Sequence, residues 1–435
     1  MKKLIITNLY KPYARGGAER VVEQQVDSEI KQGNEVVVFT ARPWTASSLF
    51  PRCDHPRKVP LPFREGAGEG NGNPTQPPLE KGRRSTTDAQ PLRPTPYTPH
   101  PRIYHVFPLN IFYYPNDHKK HPVVRALWHI IDTLSLHTFL ATVHVIHKEK
   151  PDVVHTHNLK GIGFLIPLAI KLTGRAHIHT LHDLQLITPS GLMMIGEEDH
   201  WQHTGIITRV YRFITRTLFG SPVEIISPSQ WLADEHTKHG FFKKSKHKVI
   251  CNTPHPIFAQ QAQRHSERSG VKRNAVEESR GEAHEASSAV PLPIREGAGE
   301  GNNNPTRPPL EKGRRSSVDT LQKPTIYIYA GQLEPHKGII KLLEEFKTKQ
   351  NAYLHLFGDG SLLQLAKETS QKHPHIKTHG PVTREVLAHN LAHGDIFVYP
   401  SLVYENCPMA ILEAQAVGLE IDAPQCGGII ELLES

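Results

Sequence analysis

Short apolar runs and stretches with helical apolar spacing take turns along this chain. Leu4 to Leu9 is an apolar run of strand length, and Ala18 to Gln32 repeats apolar positions at helical spacing. A strand at 35–40 follows. Beyond a long polar gap come a strand near 103–107, a helical region over 119–149, strand 152–156, helix 160–173 and strand 176–181. Then come an irregular stretch, helix 205–219, strand 223–227, a helix capped by Ser229, and strand 248–251. After a second gap the alternation resumes, with strands near 325–329, 352–357, 395–399 and 419–423. Repeated βα units predict parallel sheets covered on both faces. The expected class is α/β, with two Rossmann-like domains facing a cleft.

The two gaps share a sequence. Residues 59–85 and 290–316 match at 24 of 27 positions and differ only at Phe63/Ile294, Gly72/Asn303 and Gln76/Arg307. Both copies are rich in Gly, Pro and charge and lack apolar periodicity, so they cannot bury enough surface to offset ordering entropy. They read as disordered insertions in surface loops, where added length costs little. Gly66, Gly68 and Gly70 imitate a phosphate loop but follow no strand and open no helix. The domain plan is therefore 1–258 with an insertion at 59–95, an inserted linker at 259–323, and a second domain at 324–435.

Composition narrows the class. The 37% hydrophobic content, 36 prolines and 31 glycines of the 435 residues fit a chain that is packed only in part. The net charge of +8 is spread out, without a Lys/Arg tract of the kind that binds nucleic acid. Four cysteines lack metal-ligand spacing and fit a reducing cytoplasm. The apolar runs at 4–9 and 162–172 are too short for a signal peptide and a membrane span, so the expectation is a cytoplasmic protein. Arg209, Arg212 and Arg216 recur at helical spacing among Ile206, Ile207, Val210, Phe213 and Ile214. That pattern fits either an ordinary amphipathic helix with a solvated basic edge or contact with the inner face of a membrane.

Candidate chemistry collects at strand ends. Glu405 and Glu413 flank Asn406-Cys407-Pro408, and proline suits the first position of a helix. Glu405 is then a loop carboxylate, and Glu413 lies about a turn and a half inside the helix. A carboxylate beside helix N–H groups can hold a hydroxyl-rich group that carries a phosphate. Tyr327 to Gly338 ends a strand at Gly331 and places Lys337 before a helix, where it can neutralise a phosphate. Gly358-Asp359-Gly360 gives another strand–glycine–helix turn, whose N–H groups could approach a phosphate. Gly16-Gly17 links the first strand to its helix. His155-x-His157 and His177-x-His179 could chelate in pairs, but no carboxylate completes a ligand set, so no metal is expected. His182-Asp183 ends a strand as a polar pair.

These residues together resemble the retaining glycosyltransferases of family 4, which have the GT-B fold. The matching blocks are Gly16 to Glu19, Pro151 to His157, Leu181 to Asp183, Ser227-x-Ser229, Gly331 to Gly338, Gly358-x-Gly360 and Pro400 to Ala414. The resemblance implies sugar transfer from a nucleotide-sugar donor, UDP- or GDP-linked, to a glycan or lipid-linked acceptor hydroxyl, without a metal or other cofactor. By position it implies catalytic roles for Glu405 on the donor sugar, Lys337 on the departing diphosphate and His182 on the acceptor side. It implies donor binding by Gln332, Gly358, Gly360, Asn406 and Glu413, with Gly16 and Gly17 approaching the phosphate from the opposite domain. Leu184 to His203 would be an acceptor loop.

The chain departs from that pattern in three places. Gln332 stands where the family usually has arginine, Glu420 and Asp422 interrupt an expected apolar strand, and Ser435 comes early, implying an incomplete second domain. The alternatives are an inactive or frameshifted homologue with at most weak nucleotide binding and a different GT-B enzyme such as a nucleotide-sugar epimerase.

Overall fold

A computed structural model describes residues 1–13, 16–43, 52–54, 100–113, 121–264 and 323–434. Both repeat copies, and with them Gly66, Gly68 and Gly70, lie outside the described residues. The chain divides into two compact units. The first is Met1–Gly191, Gly205–Ser227 and Ala233–Val249; the second is Leu192–Thr204, Pro228–Leu232 and Ile250–Ser435. Two short segments numbered within the first half thus belong to the second unit.

The first unit is an eight-stranded sheet in the order β3-β4-β2-β1-β5-β6-β7-β8. Its strands are β1 (Lys2–Thr7), β2 (Glu35–Ala41), β3 (Arg52–Asp54), β4 (Arg102–Val106), β5 (Val153–Thr156), β6 (Ala176–Thr180), β7 (Glu224–Ser227) and β8 (Lys246–Val249). All pair in parallel except β3, which lies antiparallel on β4 and was not anticipated. Helix α1 (Gly17–Lys31) lays Val22 and Val26 on Ile5, Val36 and Val38. Burying each such side chain contributes roughly 1.5–3 kcal/mol.

The expected helix over 119–149 is two helices, α2 (Pro122–Thr133) and α3 (Leu136–Glu149). Thr133 turns its hydroxyl back on the His129 carbonyl at 2.7 Å, and Ser135 takes the extended conformation of a helix cap. Val123–Glu149 is, among the described residues, the one stretch long and apolar enough to cross a membrane, but that break divides it and its Trp128, Val145 and Ile146 lie in the core. Helix α4 is Ile166–Leu172 rather than 160–173, because residues 157–165 form turns before Pro167. Helix α5 is Trp201–Thr204, and α7 (Gln230–Lys238) is capped by Ser229, whose hydroxyl accepts the Leu232 N–H at 3.2 Å. Strand β8 ends two residues before the expected 251, leaving Ile250 and Cys251 to the second unit.

Helix α6 (Ile206–Phe219) inverts the ordinary amphipathic reading. Its buried stripe is Thr208, Tyr211, Thr215 and Phe219, and Ile206, Ile207, Val210 and Phe213 face solvent. Hydrogen bonds explain the choice: Tyr211 donates to the Gln185 carbonyl at 2.5 Å and Thr215 to the Leu186 carbonyl at 2.8 Å. Buried backbone carbonyls need such donors.

The second unit is a five-stranded, wholly parallel sheet, β11-β10-β9-β12-β13. Its strands are β9 (Thr325–Ala330), β10 (Ala352–Phe357), β11 (Ile376–Gly380), β12 (Ile396–Val398) and β13 (Glu420–Asp422). Helices α8 (Ile339–Thr348), α9 (Leu363–Lys372), α10 (Arg384–Leu391), α11 (Met409–Ala416) and α12 (Ile429–Leu433) follow the strands in turn. Successive side chains on β9 enter opposite cores, Ile328 and Ala330 one and Tyr329 the other. The charges of β13 now have a reason: it is the edge strand, and Glu420 and Asp422 are exposed.

Candidate active site

In the second unit the strand-end loops converge. After β9 the chain makes a 3-10 turn, Pro335–Lys337, and Gly338 enters α8 with φ of +76°. A side chain at Gly338 would place its Cβ 1.9 Å from the Pro400 carbonyl oxygen, so both the backbone conformation and the space require glycine. That close approach ties the lysine turn to the loop after β12. The Leu402 N–H reinforces it by donating to the His336 carbonyl at 3.0 Å.

The result is an ion pair between Lys337 Nζ and Glu405 Oε1, with both side chains about 15% exposed. Glu405 also accepts from Ser401 Oγ at 3.0 Å and hydrogen-bonds the Tyr399 hydroxyl. The Lys337 ammonium lies 6.0 Å from the Tyr399 ring centre. Burial, then the charge of Glu405, pushes Tyr399 and Tyr329 well above the usual phenol range. One largely buried cation and one carboxylate therefore meet among neutral hydroxyls.

Asn406 accepts a hydrogen bond from Ser229. Pro408 is the N-cap of α11 with extended ψ, so Met409 takes the first helical position expected for the proline. Glu413 lies four residues beyond Met409 and is 2% exposed, packed beside Ile411 and Ala414. Gln332 is exposed, and its carbonyl accepts from Tyr329 Oη at 2.7 Å.

The glycine turn after β10 is tied into the fold by its own N–H groups. The Gly358 N–H donates to the Gly380 carbonyl at 2.9 Å and the Gly360 N–H to Asp359 Oδ1 at 2.8 Å. Both donors are used within the fold. Gly358, with φ of +138°, instead permits close approach: a Cβ there would lie 1.8 Å from the Gly331 carbonyl oxygen. Glu334 then joins the two loops by accepting from the Ser361 N–H at 2.9 Å and its hydroxyl at 2.6 Å.

Several supporting residues escaped the sequence reading. Gly428 donates its N–H to the Glu405 carbonyl at 2.9 Å, and Glu431 accepts the N–H groups of Gln230 and Trp231 at 2.8 and 2.7 Å. Trp231 stacks on Tyr404 at 5.5 Å, and Tyr404 donates to Glu198 at 2.5 Å. Met194 pairs with Val403 as an isolated bridge, so part of the expected acceptor loop Leu184–His203 is docked against the glutamate loop. Cys251 and Cys407, unrelated in sequence, hold their sulfurs 3.3 Å apart. The pattern Gly427-Gly428-x-x-Glu431 after Glu413 was a signal that could have found some of these.

The first unit gathers histidines at its strand ends. His157 Nδ1 and His182 Nε2 are 2.9 Å apart, His155 Nε2 meets Thr180 Oγ1 at 2.7 Å, and Thr156 Oγ1 meets both His177 and His179 at 2.8 Å. Burial lowers His182 to about 4 and His155 and His177 to about 3, so all three are neutral near pH 7. Asp183 is pushed up to about 6 by burial, opposed by the Gln185 N–H that it accepts at 2.8 Å. The charge of Glu19 adds to that rise, and Glu19 accepts the Gly16 N–H at 2.6 Å beside Gly17, the first residue of α1. Among the described residues, no three His, Cys, Asp or Glu side chains converge to hold a metal ion.

A family model described as glycosyl transferase 4-like domain matches residues 16–253, more than half of the chain, and one described as glycosyl transferases group 1 matches residues 324–435. An uncharacterized 42.6 kDa protein in the cps region of Klebsiella pneumoniae is 25% identical over 255 residues, 58% of this chain and 55% of that protein. The lipopolysaccharide 1,2-N-acetylglucosaminetransferase of Salmonella typhimurium is 30% identical over 134 residues, 27% of this chain and 35% of that enzyme. The chain thus spans about half or less of the length of these relatives. Anabaena HepE, solved in complex with UDP, superposes with a TM-score of 0.53 at 13% identity, covering 100% of this chain and 84% of that one. The fold of the two parallel-sheet units is that of GT-B glycosyltransferases.

Proposed function

Because the chain belongs to the glycosyl transferases, with a 4-like domain followed by a group 1 domain, we propose that it moves a sugar from a nucleotide-sugar donor to an acceptor hydroxyl with retention of anomeric configuration. The observation that carries this reading is the Lys337–Glu405 pair at the strand ends of the second unit. Breaking the bond between the sugar and the diphosphate puts negative charge on the departing oxygen. A preformed cation beside that oxygen stabilises the transition state more than the ground state. Lys337 takes this role, so no metal cofactor is invoked. Glu405 binds sugar hydroxyls, Glu413 and Asn406 serve the nucleotide side, and Gln332 borders it. Neutral His182, held down at about 4, suits an acceptor hydroxyl, because it can share a hydrogen bond without adding charge.

The donor is UDP- or GDP-linked, with UDP favoured by the UDP bound to HepE. The acceptor is a glycan, carried on a lipid, as in lipopolysaccharide assembly, the process named for the Salmonella relative. The work is done in the cytoplasm or on the inner face of the membrane. A panel of nucleotide sugars offered to the wild type and to Glu405→Ala tests the assignment. Turnover of one donor by the wild type and a loss of about 10³-fold or more in the variant, with the fold intact, is expected. Equal turnover by the variant removes Glu405 from its role.

A further inference from the structure

Cys251 and Cys407 are 156 residues apart in the chain, yet their sulfurs lie 3.3 Å apart within the second unit. Cys251 is exposed in the segment after β8, whereas Cys407 is buried in the apolar cluster that holds Ile411, Ala414 and Ile429. A second contact fixes the same juncture, because Asn252 Nδ2 donates to the Cys407 carbonyl at 3.2 Å. The packing of two backbone segments, rather than one side-chain rotation, brings the thiols together. Their unequal exposure sets what each can do. An exposed thiol meets small oxidants and a buried one does not. Burial, then contact with Cys251, pushes the Cys407 thiol above the usual range, so it is inert until a reactive sulfur stands beside it. An accessible cysteine with a resolving cysteine in contact is the arrangement of redox-sensing pairs, which are oxidised only transiently in a reducing compartment.

The place of the pair gives it a consequence. Cys407 follows Glu405 by two residues and directly precedes Pro408, the N-cap of α11. Glu405 is anchored on Lys337 and Ser401 through its side chain, and on the Gly428 N–H through its carbonyl. Closing the sulfurs from 3.3 Å to the disulfide length of about 2.05 Å pulls Cys407 against those anchors. A displacement of about 1 Å at a reacting group can cost on the order of 10²-fold in rate.

We propose that Cys251 and Cys407 form a reversible modification site, at which a low-molecular-weight disulfide oxidises the pair to a Cys251–Cys407 bond that slows sugar transfer by pulling on the Glu405 loop. The Cys251 thiolate attacks the oxidant, forming a mixed disulfide and releasing one small thiol. The Cys407 sulfur then attacks the Cys251 sulfur, the protein disulfide forms, and the second small thiol leaves. The two electrons of the pair reduce the oxidant, and the two cysteine protons leave on the released thiols. The effect on rate rests on the transferase reading, whereas the bond does not. The experiment incubates the full chain with oxidised glutathione, maps its peptides without reduction and assays donor turnover. A linked Cys251–Cys407 peptide, no retained glutathione and a fall in turnover of about tenfold or more are expected, all reversed by dithiothreitol. Cys251→Ser should keep the turnover of the reduced chain and lose the response, and Cys426→Ser should respond as the wild type does. A missing linked peptide, glutathione held on Cys251 beside a free Cys407, or a linked chain with undiminished turnover each overturns the proposal. A reduced chain that turns over no donor counts against the transferase reading instead, and the linked peptide then decides the site alone.

Discussion

The two units build their strand ends from opposite chemistry. The second places a cation against a carboxylate, Lys337 on Glu405, both part-exposed. The first buries a set of histidines whose pKa values burial drives down, so these histidines are neutral at pH 7. A reaction that releases a charged diphosphate needs the first kind of site, and an acceptor hydroxyl needs only the second. One parallel-sheet architecture can therefore be tuned to charge or to neutrality by what stands after each strand.

Acid should break this contrast most strongly. Five buried histidines of the first unit, His155, His157, His177, His179 and His182, have folded pKa values below their ordinary 6.5. The unfolded chain binds their protons first, so their contribution is full above pH 6.5 and is lost as pH falls toward about 4. Asp132 and Asp183, raised to about 7 and about 6, act the other way, gaining stability as pH falls from 7 toward 3.8. Five against two leaves the histidines dominant, at about 1.4 kcal/mol per pH unit for each one uncompensated. In the second unit His336, His355 and His379 also shift down but are less buried. Hydrogen exchange between pH 7 and 4.5 should show first-unit peptides losing protection before those of β9 to β12. Equal loss in both units would refute the contrast.

A smaller change should sharpen the charged side. The resemblance places arginine where this chain has Gln332, an exposed residue beside the lysine turn. Gln332→Arg adds a charge-assisted donor worth about 1.5–3 kcal/mol. Donor affinity or turnover should rise about tenfold or more, read by titration with the accepted nucleotide sugar. No gain would mean that the position lies off the phosphate path.

Much of this was legible in the chain. Apolar runs of strand length located most strands, because a buried parallel strand must be apolar throughout. The places of Lys337 and Glu405 at strand ends were read from the sequence, whereas their ion pair comes from the structure. What stayed hidden depends on contacts distant in sequence. Glu334 reaching Ser361, Gly428 reaching Glu405, and the sulfurs of Cys251 and Cys407 leave no local pattern. Helix α6 misled for a different reason. Periodicity identifies an apolar face but not the direction in which it points, and Tyr211 and Thr215 won the interior through hydrogen bonds to the carbonyls of Gln185 and Leu186.

The most direct measurement is the kinetic split of Lys337→Ala. If Lys337 stabilises the departing diphosphate, kcat falls by about 10²–10³ and nucleotide affinity changes by about tenfold at most. A kcat unchanged, or a loss matched in full by weaker nucleotide binding, would contradict the role of the Lys337–Glu405 pair in sugar transfer.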